Sequence, residues 1–294
     1  MEKREAKSSY MSSVDIKQAF AAAEDAVKQG RALLLDYFGK NHNVQNKEKA
    51  GLVSDADKNS EALMKGILKK ACPEFDFLGE ESDFENEMSD SQNEAYLNSK
   101  KPSQKPRWIL DPLDGTTNYL HQLPIWAISL ALEVDEQIQI GIVDVPMMNQ
   151  TFTAIRGKGA FCNGKKISAS GCDKLEDAFM TTGFVADHPE VLSEQLKIFE
   201  NFVWKAQAIR RPGAAAYDLA MVAAGNFDLY WEKNIKPWDV AAGILLVEES
   251  QGKCVNYAGE SYHAFQKDLI AGAPEVVNLF VADLKKMKNN SSKL

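Results

Sequence analysis

Two aspartates stand three positions apart in the segment WILDPLDGTTNYLHQLP, residues 108–124. Asp111 and Asp114 come directly after an apolar run that is typical of a buried strand. Two carboxylates this close raise each other's pKa and destabilise the fold unless a cation neutralises them. The pair therefore predicts a divalent cation site at the end of a strand.

Other carboxylates stand at the edges of apolar elements elsewhere in the chain. Asp57 lies in GLVSDAD, Glu80 and Glu81 lie in FLGEES, and Asp239 lies in KPWDVAAG. Strand ends and helix starts can direct side chains into one cleft, and oxygen ligands without a His or Cys cluster favour Mg²⁺ or Mn²⁺ over Zn²⁺. Taken singly, Asp57 and Asp239 could each cap a helix, and Glu80–Glu81 could be a solvated pair.

Gly115 and Thr116, which follow Asp114, favour the binding of an anion. Gly115 lets backbone N–H groups approach an anion closely, and a helix that starts beyond it would favour phosphate. Pro, Asp and Gly are also ordinary turn residues, so a turn here is compatible with a functional role.

Two helices are predicted ahead of these motifs. Residues 14–38 have apolar positions at helical spacing, with Ser12 or Ser13 as the cap and Gly39 after the end. A second helical pattern runs from about Asp57 to Lys70.

From residue 107 onward the pattern changes to short strands. RWIL, WAISLALEV, IQIGIVDV and TFTAI predict an antiparallel sheet, and Asn163–Gly164 is a type I′ hairpin signal. After about Cys172, strand and helix patterns alternate, which indicates an α/β layer. We therefore expect an N-terminal α+β half, residues 1–172, and a C-terminal α/β half, residues 173–294, that form one compact unit.

Composition and charge narrow the class of protein. The 294 residues carry 34 basic and 42 acidic side chains, a formal charge of −8, which disfavours a general nucleic-acid binder. The four cysteines are scattered without a CxxC pair, as is typical of reduced thiols in the cytosol. The start of the sequence has no apolar signal-peptide core, and no apolar run approaches a membrane span. We expect a cytoplasmic protein without a membrane partner or a direct nucleic-acid partner.

Four segments together resemble a known family. GEES, DPLDGTTNYLH, GAAAYDL and KPWDVAAG occur in the order and approximate spacing of the inositol monophosphatase family, and the resemblance runs from about residue 14 to 285. That family belongs to the Mg²⁺-dependent, Li⁺-sensitive phosphatases of sugars and nucleotides. The resemblance implies an α/β (α+β) fold, a layered αβαβα sandwich of the inositol monophosphatase/fructose-bisphosphatase type, and a homodimer.

The resemblance also implies the metal ligands. Glu80, Asp111 and the Leu113 carbonyl would bind a first ion, and Glu80 would also touch a weaker third ion. Asp111, Asp114 and Asp239 would bind a second ion. We therefore expect two or three Mg²⁺ ions, with Mn²⁺ as a possible substitute.

The catalytic roles follow from the same resemblance. Thr116, held by Asp57, would help to orient and deprotonate the attacking water near Glu80, and the N–H groups of Gly115 and Thr116 would bind the phosphate. Two metals about 3.5–4 Å apart can stabilise both the attacking and the leaving oxygen of an in-line displacement. Metal-activated water would thus hydrolyse a phosphate monoester without a covalent phosphoenzyme.

For the leaving alcohol, the resemblance implies contacts from the Ala215 N–H and the Glu232 carboxylate, with Asp114 and Asp239 also lining the substrate site. A glutamate that accepts two hydroxyls selects a polyol over an apolar group. The leading hypothesis is therefore hydrolysis of inositol 1-phosphate and related polyol phosphates, which are small-molecule monoesters.

Three features depart from the family pattern. Ala214 stands where relatives often have Ser or Thr, bulky Trp231 could narrow the pocket, and the polar, acidic stretch 82–106 could cover the site. Histidinol-phosphate phosphatase, 3′-phosphoadenosine nucleotidase and fructose bisphosphatase stay open as alternatives of the same fold. A regulatory binding protein with a role in transcription complexes is an alternative of another class.

Overall fold

The computed structural model describes residues 11, 14–40, 44–47, 51–83, 101–185 and 188–291. The first long helix, α1 (Ile16–Tyr37), begins at Asp15, whose carboxylate accepts the N–H groups of Lys17 and Gln18. The predicted caps Ser12 and Ser13 lie outside the described residues. Gly39 follows the helix with φ of 78°, so the predicted glycine stop is confirmed.

The second helix begins slightly earlier than predicted. Strands β1 (Val44–Lys47) and β2 (Gly51–Ser54) form an antiparallel pair that leads into α2 (Asp55–Ala71). Ser54 is the N-cap, and Asp57 at the third helical position accepts the Ser54 N–H in a capping box. The cap therefore lies three residues before Asp57.

In the part of the chain that the structure describes, the larger sheet contains β3 (Asp76–Gly79), β4 (Arg107–Asp114), β5 (Ala127–Val134), β6 (Gln137–Val145), β7 (Gln150–Ile155), β8 (Ala160–Cys162) and β9 (Lys165–Lys166), adjacent in this order. β3 is parallel to β4, and the later pairs are antiparallel, as predicted from residue 107 onward. Asn163 and Gly164 have φ of 48° and 75°, which the predicted type I′ turn requires. A short helix, α3 (Thr116–Leu120), follows β4.

The smaller sheet is mixed. Its strands and the helices between them are β10 (Phe179–Thr182), α4 (Pro189–Val203), β11 (Ala208–Arg210), α5 (Ala215–Ala223), β12 (Leu229–Lys233), α6 (Pro237–Glu249), β13 (Lys253–Val255), β14 (Asp268–Gly272) and α7 (Pro274–Ser291). The strand order among the described residues is β11-β10-β12-β14-β13, with the β10 pairs parallel and the β14 pairs antiparallel. The alternation of strand and helix predicted after residue 172 is therefore confirmed.

Three apolar clusters define five layers. α1 and α2 pack on one face of the larger sheet, α5 and α6 lie between the two sheets, and α4 and α7 pack on the outer face of the smaller sheet. This arrangement confirms the predicted αβαβα sandwich. Within the described residues, no helix is long and apolar enough to span a membrane.

One close approach between layers matters for the site. A Cβ atom at Gly141 of β6 would lie 2.7 Å from the carbonyl oxygen of Ala242 in α6. Only glycine lets α6 lie this close to the sheet. The same helix carries Asp239 in its first turn, so this contact fixes the height of that carboxylate above the sheet.

Candidate active site

The two aspartates that open the sequence motif lie at an irregular end of β4. The pairing of β4 with β5 shifts in register between Asp111 and Asp114, and the two side chains are 2% and 8% exposed. The Leu113 N–H donates to Asp111 Oδ1 at 2.9 Å, which fixes the orientation of that carboxylate. The predicted turn at residues 111–114 is instead the irregular end of β4, and its register shift carries both carboxylates.

The other two carboxylates predicted to bind metal lie beside this pair. Glu80 follows β3, which is parallel to β4, so the ends of both strands meet at one edge of the sheet. Burial and the negative charges of Glu80, Asp114 and Asp239 raise the pKa of Asp111 well above its usual range. Burial and then Asp114 and Glu80 raise the pKa of Asp239 in the same way. All four carboxylates are therefore close enough to interact.

These acids fit a hard divalent cation by their chemistry. Within the described residues, no three Asp, Glu, His or Cys side chains already form a metal-ligand cluster. Backbone N–H groups hold several of the carboxylates, as where Lys236 donates to Asp239 Oδ2 at 3.0 Å. Buried carboxylates that repel one another, without a sulfur or imidazole donor, match the preferences of Mg²⁺ or Mn²⁺. The ligand assignments and the number of ions stay predictions.

Asp114 also caps a helix of the second half of the chain. Its Oδ1 and Oδ2 accept the N–H groups of Ala215 and Ala216 at 3.2 and 2.7 Å. The N-cap residue of α5 is Ala214, which has no polar side chain, so a carboxylate from β4 takes the place of the usual cap. Burial raises the pKa of Asp114 to about 7, and these N–H bonds oppose the shift.

One of these capping N–H groups, that of Ala215, was predicted to contact the substrate. The Ala215 N–H, which we expected to face the leaving alcohol, donates to Asp114. The helix end, the aspartate and the expected position of the alcohol are therefore adjacent. A direct contact of Ala215 with substrate stays a prediction.

Thr116 and Asp57 form the predicted pair. Thr116 Oγ1 lies 3.0 Å from Asp57 Oδ1 and 3.0 Å from the carbonyl oxygen of Leu113. Asp57 is 1% exposed, and its other oxygen accepts the Ser54 N–H and hydroxyl at 2.8 and 2.6 Å. Burial raises the pKa of Asp57, and the Ser54 bonds oppose that shift. Asp57 is therefore a member of a capping box and the partner of Thr116 at once.

Gly115 provides the turn into the helix that starts at Thr116. Its φ is 86°, a left-handed conformation, and a Cβ there would lie 3.1 Å from both the Ala214 Cβ and the Ile125 carbonyl oxygen. The predicted helix start beyond Gly115 is confirmed, while phosphate binding by the two N–H groups stays a prediction.

Glu232 lies on β12 and accepts a short hydrogen bond from Tyr230. Tyr230 donates its hydroxyl to Glu232 Oε2 at 2.7 Å. Burial raises the pKa of Glu232 to about 7, against the opposing effects of that hydrogen bond and of the positive charge of Arg211. Tyr230 packs in one apolar cluster with residues of α5, and Glu232, two residues further along β12, points to the same side of the smaller sheet.

The expectation that Trp231 narrows the pocket is wrong. Trp231 is fully buried in the cluster under α4 and α7, with its ring 5.2 Å from Phe280 and 6.3 Å from Phe202, centroid to centroid. Successive side chains of a strand point to opposite faces. Trp231 therefore faces away from the side that Glu232 occupies.

Glu80 and Glu81 do not form the solvated pair that the sequence alone allowed. Glu61, which we did not single out from the sequence, holds this segment in place. Glu81 is 4% exposed. Glu61 of α2 accepts the N–H groups of Glu81 and Ser82 at 2.9 Å each, and it also accepts the Ser82 hydroxyl. This bidentate contact ties the segment after β3 to α2. Glu61 stands four residues after Asp57, on the same helix face, and that spacing was the available signal.

Asp218, in the first turn of α5, was also missed. It is 2% exposed, and its Oδ1 has no hydrogen-bond partner among the described residues. Burial raises its pKa well above the usual range, and the negative charges of Asp114 and Glu232 add to this shift. A hydrogen bond from Thr181 opposes it. Asp218 belongs to GAAAYDL, one of the four segments that resemble the family, and that motif was the available signal. An acid in a first helical turn is otherwise ordinary.

Residues 84–100 lie outside the described residues, as do residues 186–187. The expectation that the acidic stretch 82–106 covers the site stays untested.

Comparisons with known proteins agree with the geometry. A model of the inositol monophosphatase family matches residues 15–288. The inositol monophosphatase of Dictyostelium discoideum is 32% identical over 271 residues, which are 91% of this chain and 95% of that protein.

Two further relatives carry other names. The Nus factor SuhB of Pseudomonas aeruginosa is 35% identical over 231 residues, 78% of this chain and 81% of that protein. The chloroplastic phosphatase IMPL1 of Arabidopsis thaliana is 36% identical over 253 residues, 84% of this chain, and the match spans 64% of that protein's length.

The fold also matches a solved structure over most of the chain. The structure of the extragenic suppressor protein suhB from Bartonella henselae superposes with a TM-score of 0.79 and 35% identity, covering 91% of this chain and 98% of that chain.

Proposed function

The chain belongs to the inositol monophosphatase family of phosphatases, and we propose that it hydrolyses inositol 1-phosphate and related polyol phosphates. The observation that carries the proposal is the meeting of four carboxylates with the Thr116–Asp57 pair at one edge of the larger sheet. A phosphate monoester bound at this edge would have cation ligands, backbone N–H groups and a proton acceptor around it.

The residues proposed to hold Mg²⁺ are Glu80, Asp111, the Leu113 carbonyl, Asp114 and Asp239. When bound, Mg²⁺ would supply the positive charge that neutralises the phosphate and activates water. The number of ions, acceptance of Mn²⁺, inhibition by Li⁺, a homodimer and a cytoplasmic location are inferred from the family alone.

Thr116 and Asp57 are proposed to move the proton of the attacking water. Thr116 Oγ1 can donate to Asp57 Oδ1 at 3.0 Å, so its lone pairs are available to accept a proton from water. Burial raises the pKa of Asp57, which makes this carboxylate a better proton acceptor than an exposed one. The N–H groups of Gly115 and Thr116 would meanwhile hold the phosphate oxygens.

Glu232 is proposed to select the alcohol. Its Oε2 is anchored by Tyr230, which leaves Oε1 to accept substrate hydroxyls. A polyol would satisfy this partly buried carboxylate, whereas an apolar alcohol would leave it without a new partner.

The test is phosphate release from inositol 1-phosphate, histidinol phosphate, 3′-phosphoadenosine 5′-phosphate and fructose 1,6-bisphosphate, each with Mg²⁺, with a chelator, and with Mg²⁺ plus Li⁺. We expect a Mg²⁺-dependent, Li⁺-sensitive preference for the inositol ester. A preference for another ester would keep the metal site and overturn the role of Glu232 in substrate choice. Inactivity on all four would overturn the proposal.

Glu232→Ala gives a sharper test of the pocket. We expect this variant to lose activity on inositol 1-phosphate by about 10-fold to 100-fold more than on p-nitrophenyl phosphate, because only the polyol offers hydroxyls to the carboxylate. Equal losses on the two esters would remove Glu232 from the pocket.

A regulatory binding role is the second candidate, because one relative is named a Nus factor. An Asp111→Asn variant separates the two functions, since a binding role should survive loss of a metal ligand while hydrolysis should not. Capture of the same partners by both forms from cell extract would support a second role beside catalysis.

A further inference from the structure

A cleft of about 680 Å³ opens between α1 and the strands β6, β7 and β8. Its lining includes no residue of the proposed catalytic site, so it is a separate feature of the molecule. Apolar side chains form much of its wall. They include Phe20, Val27, Ile142, Ile155 and Phe161.

The apolar wall suits a flat organic molecule. Phe20 and Phe161 come from opposite sides, one from α1 and the other from β8, and both are only half-buried. A ligand seated between helix and sheet would remove the remaining surface of both rings from water, which favours binding.

One buried polar atom in the wall lacks a partner. Asp144 of β6 is 1% exposed, and its Oδ1 accepts Arg31 Nη1 at 3.1 Å and the Thr151 hydroxyl at 2.6 Å. Its Oδ2 has no hydrogen-bond partner within the described residues. A buried carboxylate oxygen without a donor is costly, and native proteins rarely leave one unsatisfied.

The mouth of the cleft carries positive charge. Lys28 and Lys158 are exposed residues of its lining, and neither forms an ion pair with another described residue. Arg31, by contrast, is used within the wall, where it bonds Asp144, the Pro146 carbonyl and Asn149. Glu24 is the acidic residue of the mouth, so the two lysines leave a net positive charge there.

We propose that this cleft binds a small aromatic anion that carries one N–H or O–H donor. The donor bonds Asp144 Oδ2, the ring packs against Phe20 and Phe161, and the anionic group pairs with Lys28 or Lys158. Charge complementarity at the mouth and the unsatisfied oxygen in the wall select this class over a neutral hydrocarbon or a bare anion.

The probe 8-anilinonaphthalene-1-sulfonate combines these three features in its rings, its anilino N–H and its sulfonate. Calorimetric titration of the folded, Mg²⁺-loaded chain should give saturable binding of one molecule per chain. Thr153→Trp, which places a large side chain from β7 in the cleft, should abolish this binding. Lys28→Glu should weaken it by about fivefold, since it reverses one exposed charge.

Lys17→Glu is the matched control, because it makes the same charge change on α1 outside the cleft. Binding should keep its wild-type affinity in this variant, and phosphatase activity should be unchanged in all three. Absence of saturable binding would overturn the proposal, as would equal affinity in Lys28→Glu and Lys17→Glu. The comparison of Lys28→Glu with Lys17→Glu tests the proposal even if Thr153→Trp does not fold.

Asp144→Asn tests the donor contact. Removal of the carboxylate should weaken binding of the anilino probe more than binding of naphthalene-1-sulfonate, which has no N–H donor. An equal effect on the two probes would mean that a water molecule satisfies Asp144 Oδ2, and it would overturn the donor part of the proposal.

Discussion

At the residue scale, Asp57, Asp114 and Asp239 each hold the start of a helix in addition to the role that we propose for them in the site. Asp57 and Asp239 accept backbone N–H groups at the starts of α2 and α6, and Asp114 does the same at the start of α5. A helix N-terminus favours a negative charge, so these contacts reduce the cost of burying acids close together. Capping and metal binding are therefore compatible roles for one carboxylate.

Thr116→Val tests the proton route through the threonine hydroxyl. The substitution keeps the shape and removes the contact with Asp57, so kcat should fall by about 100-fold or more while KM changes little. Thr117→Val is the control, because Thr117 is the exposed neighbour in the same short helix. A kcat reduced equally in both variants would assign the effect to helix α3 and remove Thr116 from the proton route.

Glu232→Gln should change how stability depends on pH. Burial raises the pKa of Glu232 from 4.5 to about 7 in the folded chain, so the folded state binds its proton more tightly. Stability from this group is complete below pH 4.5 and is lost as the pH rises towards 7. In a chelator, the variant should therefore exceed wild type by about 3 kcal/mol at pH 8 and by little at pH 4.5.

Urea unfolding at several pH values measures this difference, with Glu176→Gln as an exposed control. A difference that does not vary between pH 5 and 8 would mean that Glu232 is not a buried titrating group.

At the scale of elements, the site depends on how closely α2 and α6 approach the larger sheet. Glu61 of α2 holds the Glu81 and Ser82 N–H groups, and Gly141 of β6 gives room to the α6 backbone. Neither residue is a proposed ligand. They act by fixing the elements that carry Glu80 and Asp239.

Gly141→Ala should destabilise the fold and reduce activity together. The added methyl group would meet the Ala242 carbonyl oxygen at 2.7 Å, and such overpacking costs about 1–3 kcal/mol. Gly66→Ala is the matched control, because a Cβ there meets nothing within 4 Å on the exposed side of α2. That variant should gain up to about 1 kcal/mol from helix propensity. Thermal unfolding that ranks the two variants in the opposite order would contradict this account of the α6 contact.

At the scale of the whole molecule, the candidate site draws on both sheets and the layer between them. Asp111 and Asp114 come from the larger sheet, Asp239 from the central helix layer, and Glu232 from the smaller sheet. A cation held by the first three would join elements that are distant in sequence. Metal binding should therefore stabilise the entire fold, because the unfolded chain has no such site.

Asp111→Asn should raise stability in the absence of metal and reduce the stabilisation that Mg²⁺ gives. In a chelator at neutral pH the variant should unfold at a higher temperature than wild type, since burial and three neighbouring carboxylates raise the pKa of Asp111. With Mg²⁺ the wild type should gain more stability than the variant. Asp76→Asn on β3, where the residue is exposed, should show neither change. A variant that is less stable than wild type in chelator would make Asp111 a structural residue.

The sequence by itself determined which residues stand at the edges of elements. The strands, the glycine after α1, the Asn163–Gly164 turn and the helix after Gly115 follow from local preferences that act over a few residues. The family motifs identified the carboxylates because each motif is short and continuous. The opposite directions of Trp231 and Glu232 were also available from strand alternation.

Only the tertiary structure decided which distant groups meet. Three sets of hydrogen bonds each join separate segments of the chain. Asp114 caps α5, Thr116 donates to Asp57, and Glu61 accepts the Glu81 N–H after β3. The cleft at Asp144 likewise exists because α1 leaves part of the sheet face open beside β7 and β8. Local preference cannot specify such contacts, because they depend on how whole layers pack and on which buried polar groups that packing leaves to be satisfied.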